Sequence, residues 1–184
     1  MDAAPPAIRF RARLQRPAQP ARAAWTFVVL PPAASAKLPT RSMVSVDGSV
    51  DEATFSATLS PDGAGSHWLK LPAALMRKAG MQAGDSVAFA IAPAAKEPEP
   101  RVPADLKRAL DADAAARATW RDITAIARRD WIHWITSGKK ADTRVKRIFV
   151  AIDKLAKGDR RACCFDRSGL YSRGNMGPPE AAAE

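Results

Sequence analysis

A proline-rich, charged segment at residues 93–102 divides the sequence into two parts with different hydrophobic periodicities. Before this segment, apolar residues alternate with polar residues, which is the period of a half-buried β-strand. After it, apolar residues recur every three or four positions, which is the period of an amphipathic α-helix. The sequence therefore predicts an α+β protein in which a small β-barrel with one short helix precedes a helical unit.

The first part contains six short segments with strand character. They lie at residues 8–14, 25–29, 43–50, 53–59, 67–71 and 87–91. The third and fourth form a predicted hairpin, with Asp47-Gly48 and Asp51-Glu52 as the alternative turn signals. Residues 33–39 are predicted to form a loop. Pro72 begins a short predicted helix that ends at Gly80, the residue type favoured at a left-handed cap.

Three helices are predicted in the second part. The first spans residues 103–110, and Asp111 or Asp113 caps a longer second helix that continues to Gly138. Asp142 or Thr143 caps the third, which ends at Gly158. The apolar stripe of the second helix consists of Trp120, Ile123, Ala127, Trp131 and Trp134, and that of the third of Val145, Ile148, Phe149, Ile152 and Leu155. We expect the tryptophans to fill the helical core rather than to stack on nucleic-acid bases.

These signals divide the chain into four regions. We predict a barrel domain at 7–93, a linker at 94–102, a helical region at 103–158 and a tail at 159–184. The tail shows no periodicity, although Phe165, Leu170 and Tyr171 offer apolar side chains that can hold part of it on the folded surface.

Cellular location and redox state follow from what the sequence lacks. The apolar run from Trp25 to Pro32 is much shorter than the roughly 20 residues that span a bilayer, and Met1 to Phe10 lacks the apolar centre of a signal peptide. We therefore expect a cytoplasmic protein without membrane insertion. Cys163 and Cys164 are neighbours, so a disulfide between them would close a small, strained ring, and we expect reduced thiols.

Catalytic and metal-binding signatures are absent from the sequence. It contains no phosphate-binding Gly-rich loop, no dinucleotide fingerprint, no nucleophile elbow and no His-Glu-x-x-His motif. His67 and His133 have no assignable carboxylate partner, and adjacent cysteines fit tetrahedral zinc poorly. We therefore predict a protein that is not an enzyme, with no catalytic residues, no metal and no cofactor.

Basic residues provide the strongest chemical signal. The chain has 29 Lys+Arg against 19 Asp+Glu, a net charge of +10, and residues 117–161 alone hold 13 basic and 5 acidic residues. Such a surface suits contact with phosphates or with an acidic protein, although a solvated basic face is favoured over nucleic-acid binding. The candidate contact residues are Arg128, Arg129, Lys139, Lys140, Arg144, Lys146 and Arg147.

The order of motifs resembles a known family. Residues 69–87 resemble the strand, Pro-started helix, Gly-Asp turn and strand of the AbrB/MazE-type swapped-hairpin domains. Taken with residues 25–31, 102–106, 131–135 and 143–148, the order resembles the bacteriocin-protection YdeI/OmpD-associated family over roughly residues 8 to 160. The resemblance implies a double-split barrel closed within one chain, followed by a helical region. It implies no catalytic residues.

Three functional hypotheses follow. The first is a monomeric, non-enzymatic platform for a protein partner in bacteriocin or envelope stress resistance. The second is an AbrB-like nucleic-acid-binding regulator, because Arg9, Arg11 and Arg13 form a basic face on the first strand. The third is a small-molecule site between barrel and helices, lined by Trp25 or Trp68.

Overall fold

Six antiparallel strands and six helices form the part of the chain that the computed structural model describes, residues 6–138, 140–162 and 176–183. The chain divides into two compact units, one of residues 1–96 with 166–184 and one of residues 97–165. The first unit holds all six strands and the second holds four of the helices, so the predicted α+β class is confirmed.

The bounds of the elements are as follows. The strands are β1 (Ile8–Arg13), β2 (Thr26–Val29), β3 (Val44–Val50), β4 (Ala53–Pro61), β5 (His67–Leu71) and β6 (Ser86–Pro93). The helices are α1 (Pro32–Ser35), α2 (Ala73–Lys78), α3 (Ala104–Ala112), α4 (Ala114–Asp122), α5 (Ala125–Thr136) and α6 (Ala141–Ala156).

The six strands form a nearly closed barrel. Their order is β1-β6-β3-β4-β5-β2, and a bridge between Gln15 and Phe27 brings the two outer strands together. Ile8 and Phe10 of β1 point into the apolar core, whereas Arg9 and Arg11 are exposed. The predicted alternation is therefore confirmed, and the barrel core lies between its inward-facing side chains.

The hairpin of β3 and β4 turns at Asp51-Glu52. Val50 pairs with Ala53, and Asp51 adopts a positive φ of 46°, which Asp tolerates better than most residues. The other candidate turn residue, Gly48, lies inside β3. A Cβ atom there would come within 2.6 Å of the Ala90 carbonyl oxygen. Gly48 is thus needed because β6 packs closely against it.

Two local predictions in the first unit have different outcomes. The predicted loop at 33–39 is wrong in part, because α1 forms from Pro32, which favours the first helical turn. The predicted helix after Pro72 is confirmed as α2, and Gly80 follows its end with a φ of 64°.

In the second unit, the predicted long helix is wrong because the chain breaks between α4 and α5. Thr124 Oγ1 accepts a hydrogen bond from the amide of Ala127 at 3.2 Å and caps α5. Asp113 caps α4 through the amide of Ala116 at 2.8 Å, as predicted. The predicted caps Asp142 and Thr143 are wrong, because α6 already begins at Ala141.

The helical core is built around tryptophan. Trp131 and Trp120 are buried, as predicted, and half-buried Trp134 packs edge-on against Trp131 with ring centroids 5.9 Å apart. The predicted stripe on α6 is wrong at two positions, since Val145 and Phe149 remain 67% and 76% exposed. Among the described residues, no helix combines the length and apolar character that a membrane span requires.

Candidate interaction surface

Arg128 is bound within the helical unit. Its guanidinium donates to the carbonyl oxygens of Ile123 at 2.6 Å and Trp120 at 3.0 Å, at the end of α4. Its Nε lies 2.6 Å from Glu99 Oε1, and only 16% of its side chain is exposed. Arg128 therefore stabilises the carbonyl end of α4, whose last carbonyls have no helical partner.

Arg129 belongs to a buried ionic cluster at the start of the helical unit. It donates to Glu97 and lies 3.6 Å from Asp130 Oδ1. All three side chains are less than one-fifth exposed. Because unpaired charges are costly to bury, the cluster holds residue 97 and α5 together.

Arg144 pairs with Asp105 through two hydrogen bonds. Nε donates to Oδ2 at 2.6 Å and Nη2 to Oδ1 at 3.0 Å, which links α6 to α3. The hydrogen bonds from Arg144 lower the pKa of Asp105 to about 2. This two-point geometry makes Arg144 a structural residue of the helical unit.

Arg147 of α6 contacts the carboxyl-terminal end of α5. Its guanidinium donates to the Trp134 carbonyl oxygen at 2.5 Å and to Ser137 Oγ at 2.9 Å. The same group lies over the Trp134 ring, 5.3 Å from its centroid. Arg147 thus combines helix capping with a cation–π contact.

The predicted basic contact residues therefore have different environments. The four arginines are bound internally, whereas Lys140 and Lys146 are exposed. Lys139 lies outside the described residues. Contact with a partner stays a prediction, and Lys140 and Lys146 are the members of the set best placed for it. These two groups cannot be told apart in the sequence, because the arginines' partners come from other helices and from the segment at 97–99.

An exposed apolar patch on α6 is the surface feature that the sequence analysis missed. We define the α6 patch as Val145, Lys146, Phe149 and Val150, which lie one turn apart in two adjacent pairs. All large apolar side chains exposed in the described residues lie in the helical unit, and three of them are in this patch. The sequence signal was the breadth of the apolar arc on α6, which exceeds what one packed face can bury.

His67 forms a buried pair with Ser35 in the barrel unit. His67 Nε2 donates to the Ser42 carbonyl oxygen at 2.8 Å, so Nδ1 accepts from Ser35 Oγ at 2.7 Å. Burial lowers the pKa of His67, against the raising effect of the Ser42 hydrogen bond. Both side chains are at most 1% exposed. The pair has the atoms of a nucleophile and a base, but its burial leaves no room for a substrate in this conformation.

Other predicted residues are placed as follows. The described residues contain no group of three His, Cys, Asp or Glu that could hold a metal, and Cys163 and Cys164 fall outside them. Trp25 stacks under the Lys70 ammonium at 4.4 Å, and the Trp68 indole donates to the Met176 carbonyl oxygen at 2.6 Å. The small-molecule site stays a prediction.

Comparison with protein families agrees with the two units. Residues 99–158, which contain the four bound arginines and the α6 patch, match the family model described as bacteriocin-protection, YdeI or OmpD-associated (OmdA). The helical region of the chain is thus an OmdA region. Residues 10–91 match a second family model, described as a domain of unknown function (DUF1905), so the resemblance predicted from the motif order is confirmed. None of the curated proteins compared with the chain matches it.

The description of the family model matched by the helical region names bacteriocin protection and YdeI. The family matches cover the barrel and the helical region separately, with a short interval between them at 92–98. The AbrB-like character of the barrel stays a prediction.

Proposed function

We propose that this chain is a non-enzymatic, cytoplasmic protein that binds a protein partner through the α6 patch in resistance to bacteriocin or envelope stress. The observation that carries this proposal is the exposure of Phe149, at 76%, on a helix whose opposite face is packed in the core. A large exposed aromatic side chain next to other apolar side chains is typical of a protein-binding surface.

The chemistry of the patch favours a protein over a nucleic acid. Nucleic-acid binding depends mainly on several cations that are available to contact phosphates. Here Trp120 and Trp131 are buried, and Arg144 and Arg147 are bound internally. Lys146 is the basic residue within the patch, and the net charge of +10 attracts acidic partners over longer distances.

Site-specific photo-crosslinking in the native host tests this proposal. A photoreactive amino acid at Phe149 is compared with one at Arg108, an exposed position on α3. We expect one dominant protein adduct from position 149, whose yield falls several-fold in the Val145→Ala variant, and none from position 108. Equal adduct patterns at the two positions would contradict a specific partner on α6.

The consequence for resistance is tested with the Val145→Ala/Phe149→Ala double variant. We expect the host to lose protection against bacteriocin while the protein level stays unchanged. The Arg108→Ala variant should protect like the wild type. Full protection by the double variant would show that the patch has no part in resistance.

A second candidate is nucleic-acid binding by the first unit. Arg9, Arg11 and Arg13 are all exposed on the outer face of β1. Binding through such a face should weaken steeply with salt, because each neutralised phosphate releases counterions. A duplex mobility shift that is lost between about 50 and 200 mM salt, and reduced by Arg9→Gln/Arg11→Gln, would support this candidate. Absence of any shift at the lower salt concentration would remove it.

A further inference from the structure

The last described segment, residues 176–183, pairs with the barrel unit near its end through an isolated β-bridge. We call this segment the strap. The Ala182 amide donates to the Arg16 carbonyl oxygen and the Ala18 amide donates to the Glu180 carbonyl oxygen, both at 2.8 Å. Pro17 and Ala181 form the antiparallel bridge between these bonds. Main-chain pairing of this kind depends little on the side chains of the added strand.

The strap occupies an edge that β6 leaves open. Leu14 pairs by main-chain hydrogen bonds with Gly84 and Asp85, just before β6 begins. Gln15 faces the opposite way and pairs with Phe27. The main-chain carbonyl of Arg16 and the amide of Ala18 face the same side as the main-chain groups of Leu14. There the strap supplies their hydrogen-bond partners. An open strand edge is a general site for the addition of an extended peptide.

A buried side chain anchors the strap at its other end. Met176 is only 2% exposed, and its carbonyl oxygen accepts the hydrogen bond from Trp68 Nε1 at 2.6 Å. Trp68 in turn packs edge-on against Phe27, with ring centroids 6.2 Å apart. An unbranched thioether side chain adapts well to an irregular pocket. The strap therefore combines one buried anchor with strand pairing, as bound peptides do.

The strap fills its groove incompletely. A cavity of about 450 Å³ lies beside it, walled by Leu14, Arg16 and Gly84 among others and by Ala181, Ala182 and Ala183 of the strap. The strap contributes only alanines to this wall, and Ala182 is the half-buried one of the three. Exposed Arg16 in the wall favours a carboxylate in the cavity. A side chain longer than alanine at position 182 would fill space that the strap leaves empty.

We propose that the edge at residues 16–18 is a peptide-binding groove that the strap occupies intramolecularly. The partner is an extended peptide with an unbranched apolar side chain and, six residues later, an acidic side chain opposite Arg16. Such a peptide replaces the main-chain bonds of the strap and adds a charge-assisted contact that Ala182 does not make. This site lies in the barrel unit and does not depend on the α6 patch.

Fluorescence anisotropy with two labelled peptides tests the proposal. One peptide has the sequence of residues 176–183, and the second carries Ala182→Glu. The proteins are the wild type, a chain that ends at residue 175, and the full chain with Met176→Asp, which removes the apolar anchor. We expect both opened proteins to bind the Glu peptide at least about tenfold more tightly than the wild type does, because the attached strap competes at high effective concentration.

The acidic preference has its own control. Each opened protein should bind the Glu peptide about tenfold more tightly than the Ala peptide. Adding Arg16→Gln should abolish this preference, so that the Glu and Ala peptides bind this variant equally. Equal affinities for the two peptides, or equal binding by wild-type and opened proteins, would overturn the proposal. Loss of the β circular-dichroism signal in both opened proteins would also overturn it, because a segment required for folding is not exchangeable.

Discussion

Arg144 binds Asp105 by two parallel hydrogen bonds, of 2.6 and 3.0 Å, and so joins the last helix of the helical unit to the first. The carboxylate of Asp111, on the same helix as Asp105, pairs with Lys107 one turn away through one oxygen at 2.6 Å. The two aspartates therefore allow a pair that crosses between helices to be compared with one that lies within a single helix. Only the crossing pair constrains how the helices pack.

We expect Asp105→Asn to lower the free energy of unfolding at pH 7 by about 1 kcal/mol, the upper range for a partly exposed pair with two-point geometry. The folded-state pKa of about 2 lies below the ordinary value of 3.8. The contribution is therefore complete above about pH 4 and is lost as the pH falls toward 2. Urea unfolding of both proteins across this range measures the difference. Asp111→Asn is the control, and an equally large effect there would contradict the importance of the link between helices.

A second prediction concerns the pH dependence of the barrel. Burial lowers the pKa of His67 below 6.5, so the unfolded chain binds a proton more readily than the folded one. Stability should therefore fall as the pH decreases from about 6.5 through the lowered pKa. His67→Gln should remove this part of the pH dependence, since it has no titratable group. Urea midpoints at several pH values between 7.5 and 5 provide the test, and parallel curves for the two proteins would exclude His67 as the cause.

A third prediction tests the close packing of β3 against β6. A Cβ atom at position 48 would lie 2.6 Å from Ala90 O and 2.8 Å from Ile91 Cγ2. Gly48→Ala should therefore destabilise the barrel by about 1–3 kcal/mol, because backbone has to move. Ser49→Ala, at the next position of the strand, is the control and should change the unfolding free energy much less. Similar thermal midpoints for the two variants would refute the steric argument.

The fourth prediction separates the α6 patch from the helical core. Phe149 is 76% exposed and Trp131 is fully buried. We expect Phe149→Ala to change the free energy of unfolding by less than about 0.5 kcal/mol, and Trp131→Ala to lower it by about 3–5 kcal/mol. Chemical denaturation followed by circular dichroism measures both. A large loss in Phe149→Ala would mean that this ring stabilises the fold, and the patch would then have no claim to be a binding surface.

Several features of the fold could be read from local sequence. The alternation around Phe10 specifies which face of β1 is buried, and Asp113 is recognisable as a helix cap. Gly158 follows the end of α6 with a positive φ of 86°, as its residue type suggests. These features depend on residues close together in the chain, so a single sequence carries enough information to predict them.

The break between α4 and α5 shows where such reasoning fails. The apolar spacing continues through Ile123, which is buried, and therefore suggests one continuous helix. The capping hydrogen bond of Thr124 and the contacts of Arg128 with the carbonyls of α4 favour two shorter helices instead. Periodicity records which residues are buried but not whether the backbone between them stays helical.

The same distinction between local signals and long-range contacts applies to the candidate sites. By itself the sequence determined the order of a β domain and a helical unit, the positions of most strands, and the excess of basic residues, because each is a local or compositional property. Only the tertiary structure decided that four of the arginines are bound internally, that Phe149 stays exposed and that residues 180–182 pair with residues 16–18. Each of these outcomes depends on side chains or main-chain groups that are distant in sequence, and the long arginine side chain and the strand edge accept partners that no local pattern specifies.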